Sequence, residues 1–294
     1  MKISIAGVDF SVVRQRAVLA QVRKFWQTKN LRPKQLLVVT PNPEMVVRAQ
    51  KDEYFRQVLN SADIAVADGV GILWASYYLR QLNLLRKKRL VHVCGCKLRI
   101  KDKVQRVLEE GLVFLLALRQ IILRPQVLKQ VLPERVSGAD LFPAVLRLAA
   151  RECQKVFLLG GEKGVALKLK AKLLREMPRL EVVGVSAARA KRSSAVRRRI
   201  QRSGAQVLFV AFGAPKQEVW LARNLPKLKG VNFGMGVGGS FDFYVGRVPR
   251  APQFLRRRGL EWFWRLLCQP LRWRRIWRAT FGFLRLIWLK GRQI

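Results

Sequence analysis

The sequence predicts an α/β fold, a mostly parallel sheet flanked by helices, with a helical insertion and a basic helical appendage at the C-terminal end. Three observations carry this. Short, continuous, largely β-branched apolar runs recur, such as Leu36-Leu37-Val38-Val39, Ile64-Ala65-Val66-Ala67 and Val207-Leu208-Phe209-Val210-Ala211. Runs of that kind suit strands buried on both faces of a parallel sheet. Segments with helical spacing alternate with them, which is the pattern of successive βα units. Two stretches, 82–131 and 249–294, interrupt the alternation and differ from it in texture.

In order along the chain, residues 3–12 read as a short strand or hairpin, followed by a helix ending near Lys29-Asn30. Leu36-Leu37-Val38-Val39 is the first buried strand, and Pro41 and Pro43 punctuate the loop beyond it. Residues 44–60 have helical spacing. Ile64-Ala65-Val66-Ala67 is the second strand; it stops at Asp68-Gly69, and 70–79 is helical again. After the first interruption, Val156-Phe157-Leu158-Leu159 runs into Gly160-Gly161, a basic helix covers 165–177, and 180–185 is a strand. A helix over 194–203, the strand Val207-Leu208-Phe209-Val210-Ala211 ending at Phe212-Gly213, a helix over 218–225 and a strand over 230–235 complete the series. In such sheets ligands bind beyond the carboxyl ends of the strands. The organisation expected is an α/β domain over 1–248, with its insertion at about 82–131, and an Arg/Trp-rich membrane-binding appendage over 249–294.

The insertion carries Arg86-Lys87-Lys88-Arg89 and an apolar run over 112–118, broken by Arg119, Arg124 and Pro125. Two readings stand: a helix lying in a membrane interface, or a helical hairpin packed on the main domain. The appendage starts at a joint marked by Pro249 and Pro252. Arg and Trp interleave through it with one acid, Glu261, and five of the eight tryptophans (Trp262, Trp264, Trp273, Trp277, Trp288) lie there. Trp favours membrane–water interfaces and Arg pairs with phosphates. A surface helix pair packed on the body by an apolar stripe gives the same pattern, and both can hold at once.

The 294 residues suffice for one large domain with a tail or for two domains, and half of them are hydrophobic. Charge is the outlier: 58 Lys+Arg against 18 Asp+Glu, a formal net charge of +40. Such a chain attracts polyanions, whether nucleic acid, anionic lipid head groups or diphosphates. A generally basic proteome produces the same excess. The single histidine, His92, argues against a Ser-His-Asp triad or a His-based metal site. Cys94-Gly-Cys96 is tighter than the usual zinc spacing, so His92, Cys94 and Cys96 form a weak ligand set. With Cys153 and Cys268, the cysteines read as reduced thiols. The N-terminus has no signal pattern and no stretch offers about 20 uninterrupted apolar residues, so membrane contact is expected to be peripheral.

Several short segments can support chemistry. Ala67-Asp68-Gly69-Val70-Gly71 puts a carboxylate at a strand end beside two glycines, where backbone approaches a ligand closely and Asp68 can act as general base; it also reads as a simple turn. Thr40-Pro41-Asn42-Pro43 offers uncharged hydrogen bonds for sugar hydroxyls or an amide. Phe212-Gly213-Ala214-Pro215-Lys216-Gln217-Glu218 looks like a loop opening a helix, whose N-terminus with a nearby Lys favours phosphate. Gly234-Met235-Gly236-Val237-Gly238-Gly239-Ser240-Phe241-Asp242 resembles a dinucleotide loop only loosely. It leads to Phe241-Asp242-Phe243 rather than to an obvious helix, so a nicotinamide-dependent oxidoreductase is disfavoured.

Taken in order, these segments resemble the WecG/TagA/CpsF family of bacterial glycosyltransferases. Glu134-Arg135-Val136-Ser137-Gly138-Ala139-Asp140-Leu141, Phe157-Leu158-Leu159-Gly160-Gly161, Arg250-Ala251-Pro252 and Gly259-Leu260-Glu261-Trp262 add to the resemblance, which spans nearly the whole chain except 82–131. It implies a Rossmann-like (GT-E-like) fold and an inverting, metal-independent transfer with no cofactor. The donor implied is a UDP-sugar, typically UDP-N-acetylmannosamine or its uronate, and the acceptor a polyprenyl-diphosphate-linked sugar. The enzyme is then expected peripherally on the cytoplasmic face of the bacterial inner membrane, with self-association suggested. Asp68 falls on the family's proposed base and Thr40 on a neighbouring active-site residue. Arg135 and Gln217 fall on pocket residues for donor or leaving-group phosphates. Asn42, Gly69, Gly238 and Asp242 complete the candidate donor set. Arg265, Arg272 and Arg275 occupy the spacing of arginines for the acceptor diphosphate and an anionic membrane. The insertion departs from the family, which leaves the acceptor open. Nucleic-acid binding is the first rival, but no recognised module is present and the basic residues are not confined to one element. Retention of Asp68 and Arg135 argues against a non-catalytic membrane adaptor.

Overall fold

A computed structural model describes residues 1–28, 35–92, 100–187 and 193–293, and the side chains of all of these except 88–92, 100–104, 193, 257, 272 and 275. The helix end expected near Lys29-Asn30, the ligand set of His92, Cys94 and Cys96, and the side chains of Arg272 and Arg275 lie outside that description.

The chain opens with the antiparallel hairpin of β1 (Lys2–Ile5) and β2 (Val8–Ser11). Its two turn residues, Ala6 and Gly7, have φ of 49° and 78°, the left-handed pair that suits a tight hairpin. α1 (Gln15–Gln27) follows and buries Val18, Val22 and Trp26 at four-residue spacing. Next come β3 (Leu36–Val39), α2 (Pro43–Ala49), α3 (Glu53–Asn60) and β4 (Ile64–Ala65). The helical stretch expected over 44–60 is thus two helices. Asp52 accepts a hydrogen bond from the Phe55 N–H at 2.9 Å, which caps a new helix and ends the old one.

α4 (Val70–His92) runs well past position 79, and α5 (Ile100–Leu123) returns against it. No Gly or Pro between 79 and 92 stops the helix, so the insertion begins inside α4 without a break. The insertion packs on the body as a hairpin, and α5 also exposes Leu108, Leu112 and Leu115, the kind of apolar face the interface reading expects. Glu110 on α5 is buried and accepts from Arg86 on α4 at 2.8 Å and from Arg106 at 3.1 Å. Phe114 meets Trp74 and Tyr78 edge-on at 5.2 and 5.3 Å.

The chain continues through α6 (Gly138–Arg151), β5 (Val156–Gly160), α7 (Val165–Glu176), β6 (Val182–Ser186), α8 (Ser193–Arg202), β7 (Val207–Ala211), α9 (Lys216–Asn224), β8 (Phe233–Gly236) and α10 (Ser240–Tyr244). Six strands form one sheet in the order β4-β3-β8-β7-β5-β6, and every neighbouring pair is parallel. Strand residues alternate between two cores: Leu37, Val39, Phe157, Leu159, Leu208 and Val210 face one, and Leu36, Val38, Val156, Leu158, Val207 and Phe209 face the other. Both faces are covered by helices, as the continuous apolar runs require. α10 corrects one expectation. The glycine-rich stretch does lead into a short helix, held by Phe241, which is fully buried against Phe142 at 5.5 Å.

Four short helices close the chain: α11 (Gln253–Arg257), α12 (Glu261–Cys268), α13 (Trp273–Trp277) and α14 (Phe283–Gly291). α14 buries Phe283 and Ile287 in the core shared by β3 and α4, and Trp288 meets Phe114 edge-on at 5.2 Å. The appendage is therefore joined to the body at its far end. At its near end Gly259 has a φ of +75°, and a Cβ there would lie 2.7 Å from that of Val70. Among the described residues no helix is long and apolar enough to cross a membrane.

Candidate active site

Loops at the carboxyl ends of β3, β4, β7 and β8 surround a cleft of about 1180 Å³. Thr40 and Asn42 come from the first of these loops, Asp68 and Gly69 from the second, Gly213 from the third, and Gly238 and Gly239 from the fourth. Arg135 enters from the segment before α6, Gly138 from the first turn of α6, and Glu261, Trp262 and Arg265 from α12. The sheet supplies the position that the fold class anticipates.

Asp68 lies deep in this cleft. Its backbone N–H donates to the Pro41 carbonyl at 3.1 Å, and the Val136 N–H donates to the Ala67 carbonyl at 2.9 Å. Three segments are thereby clamped around the carboxylate. Gly69, with a φ of +101°, turns the chain away at once. Burial pushes the Asp68 carboxyl up from 3.8 to about 6, and the charge of Glu261 adds to the rise. Arg135, the Gly138 N–H and Arg265 pull the other way without cancelling it. The Gly138 N–H reaches Oδ2 at 3.5 Å from the start of α6, whose positive end faces the site. A Cβ on Gly138 would sit 3.1 Å from Thr40 Oγ1, so a glycine is what lets the helix begin this close to Thr40.

Ser137 caps α6, accepting from the Asp140 N–H at 3.2 Å while its hydroxyl donates to Asp140 Oδ2 at 2.7 Å. Burial disfavours the charge on Asp140, but the Ser137 hydroxyl and the Arg250 guanidinium outweigh it and hold the carboxyl below its usual value. Arg250 bonds Asp140 at 2.6 Å, which fixes the start of the appendage to the helix beside Asp68.

The cations are placed around the carboxylate. Arg135 Nη1 lies 3.7 Å from Glu261 Oε2. The Arg265 guanidinium stacks on Phe243 at 4.6 Å. Lys216 lines the cleft at the N-terminus of α9. Of the three arginines expected to meet an acceptor diphosphate, Arg265 is thus inside the cleft, while the side chains of Arg272 and Arg275 are undescribed.

Several candidates are committed to the protein itself. Asn42 Oδ1 accepts from the Met45 N–H at 3.0 Å and caps α2. Gln217 is buried; its Oε1 accepts from the N–H groups of Gly213 at 3.0 Å and Gly238 at 2.9 Å, and its amide donates to Glu218 at 2.8 Å. Gln217 therefore clips the loops after β7 and β8 together, and its amide oxygen points at them rather than into open space. Asp242 lines the cleft and accepts from Arg247 at 3.5 Å.

Two residues escaped the sequence reading. Glu261 pairs with Arg135 and acts on Asp68; its signals were being the sole acid of a basic appendage and lying in the Gly259-Leu260-Glu261-Trp262 segment. Glu218 is buried, and desolvation pushes its carboxyl up to about 7. In the sequence it looks like an ordinary acid in the first turn of a helix. Among the described residues no three His, Cys, Asp or Glu side chains gather as a metal site, and Cys153 and Cys268 are free and exposed.

A carboxyl raised to about 6 beside guanidinium groups, at the carboxyl end of a parallel sheet, suits attack by a hydroxyl with departure of an anionic group. Known proteins agree with that chemistry. This chain is 28% identical over 240 residues, 82% of its own length and 74% of the relative's, to a protein of Bacillus subtilis (strain 168). That protein is named N-acetylglucosaminyldiphosphoundecaprenol N-acetyl-beta-D-mannosaminyltransferase. A protein of the same name from Bacillus spizizenii (strain ATCC 23059 / NRRL B-14472 / W23) is 30% identical over 239 residues, 81% of this chain and 74% of the relative. The sequence model of the Glycosyl transferase WecG/TagA/CpsF family matches residues 3–99 and 91–293. With nearly its whole length matched, the chain belongs to the WecG/TagA/CpsF family of glycosyl transferases.

Proposed function

We propose that this enzyme moves N-acetylmannosamine, or a related N-acetylhexosamine or its uronate, from a UDP-sugar to a polyprenyl-diphosphate-linked sugar. The observation that carries the reading is the Asp68 carboxylate, raised to about 6 and set within the cleft among Arg135, Arg265 and the Gly138 N–H. The names of both relatives supply the sugar and the lipid-linked class of acceptor.

In this mechanism Asp68 removes the proton from the acceptor hydroxyl. The freed oxygen forms a bond to the anomeric carbon, and the bond from that carbon to the UDP phosphate oxygen breaks on the opposite face, inverting the centre. The departing diphosphate needs positive charge. Arg135, Arg265, Lys216 and the N-terminus of α9 provide it from side chains and backbone. The reaction is proposed to need no metal, because those cations already stand at the cleft, so added chelator should leave turnover intact. We place the enzyme peripherally on the cytoplasmic face of the bacterial inner membrane, where the acceptor's head group is accessible.

The test is UDP release from a panel of UDP-sugars, with and without a short-chain polyprenyl-diphosphate-N-acetylglucosamine, comparing the wild type with Asp68→Asn. The expected result is acceptor-dependent release with one donor, lost by a factor of about 10² to 10⁴ in the variant, the usual weight of a general base. Wild-type turnover in a correctly folded Asp68→Asn protein overturns the assignment of the base.

A further inference from the structure

The cleft continues beyond the reacting groups, and its character changes. Phe283 is buried beside Gly71, where a Cβ would lie 3.6 Å from its ring, so α14 reaches the same loop that carries Asp68. Leu118, Ile121 and Ile122 of α5 line the cleft together with Ile276, Ala279 and Leu284 of the C-terminal helices. None of these six side chains ionises or bonds through a polar group. The total volume, about 1180 Å³, is above the roughly 300–1,000 Å³ usual for a small-molecule pocket. The sugar hydroxyls and diphosphate of a nucleotide sugar gain little from such a wall. A ligand with an anionic head and a hydrocarbon tail matches both parts of the cleft.

We propose that this apolar arm holds the first isoprene units of the acceptor's tail, and that α5 is an element for binding the acceptor lipid. The proposal rests on the lipid-linked acceptor reading above. The arm is walled by elements the fold holds in place. α5 is fixed to α4 through Glu110 with Arg86, and to α14 through Phe114 with Trp288 at 5.2 Å. Its way out is visible too: Ile122 lines the arm yet is 82% exposed, so the arm opens to the surface at the end of α5. There the tail passes from protein into bilayer.

Two measurements test this on the full chain. The first compares two acceptors with the same diphosphate-sugar head, one on a short alkyl chain and one on a chain of several isoprenes. Ile121→Asn is expected to raise KM for the isoprenoid acceptor roughly tenfold or more, the scale of a lost hydrophobic contact, with KM for the short acceptor and the donor little changed. Ile122→Asp, at an 82% exposed position where little packing is lost, should act in the same direction. Equal effects on both acceptors, or none on the isoprenoid one in both variants, overturn the proposal. The second measurement irradiates the wild type with a prenyl diphosphate carrying a benzophenone on its terminal unit and maps the labelled peptides. Label at 118–122 and 276–284 supports the arm. Label confined to the outer face of α5 around Leu108, Leu112 and Leu115, or absent from both segments, overturns it. If the wild type turns over neither acceptor, the transferase reading fails while the cross-link still decides the arm.

Discussion

Asp68 sits between charges of opposite sign, and that makes its acidity adjustable from a distance. It must be ionised to accept a proton, so kcat/KM is expected to fall as pH drops through about 6, the value at which burial sets the carboxyl. Glu261 raises that value, so Glu261→Gln should move the acidic limb to lower pH. Arg135 lowers it, so Arg135→Gln should move the limb to higher pH. A pH profile of the two variants checks both signs at once, and a limb that stays put in both shows that Asp68 is not the titrating base. The position of Asp68 was legible only through the ordered set of segments that resembles the family, because an Asp-Gly pair at a strand end by itself also reads as a simple turn. Glu261 was not, because its reach into the cleft depends on where α12 lands. Gln217 shows the same limit. Its place beside the cleft could be read, but whether its amide meets a ligand or the N–H groups of Gly213 and Gly238 is decided by loops far apart in the chain.

The strands were the most legible elements, since Leu36–Val39, Val156–Gly160 and Val207–Ala211 are buried on both faces and leave no polar residue to confuse the pattern. Helix ends were less so. The break at Asp52 is a matter of one capping side chain, and α4 runs on because nothing in its sequence stops it. The insertion's packing was hidden for a further reason: Glu110 looks like a surface acid until Arg86 and Arg106 close over it. The appendage shows most clearly what texture leaves open. Its Arg/Trp composition suited either a membrane interface or a helix pair packed on the body, and Phe283, 1% exposed, carries that packing into the core beneath β3 and α4. Phe283→Ala should therefore cost about 3–5 kcal/mol, as for a buried aromatic, read as a drop in the urea midpoint without a change in slope. A loss below about 1 kcal/mol, within the range of surface substitutions, would show that α14 is not integral to the fold.

A net charge of +40 on 294 residues is too large to be explained by the diphosphates of one cleft, which leaves a collective use or a general compositional bias. The helices that border the cleft also expose large apolar side chains: Leu271 is 96% exposed, and Trp273, Trp277 and Phe281 are each more than half exposed. Water is a poor neighbour for such a cluster, whereas a bilayer interface suits Trp beside Arg. The two features make separable predictions for binding to vesicles. Basic residues near an anionic surface contribute on the order of 1 kcal/mol each and are screened by salt. Co-sedimentation with anionic phospholipid vesicles should therefore be strong at low salt and fall steeply as salt is raised. Exchanging Leu271 and Trp273 for Ser leaves the charge untouched, so it should weaken binding at every salt concentration while preserving the salt dependence. If neutral vesicles bind as well as anionic ones, the apolar cluster alone docks the enzyme and the positive charge reflects a general compositional bias. If the double variant binds like the wild type, the cluster is not the contact, and the mouth of the cleft must face the membrane through the outer side of α5 instead.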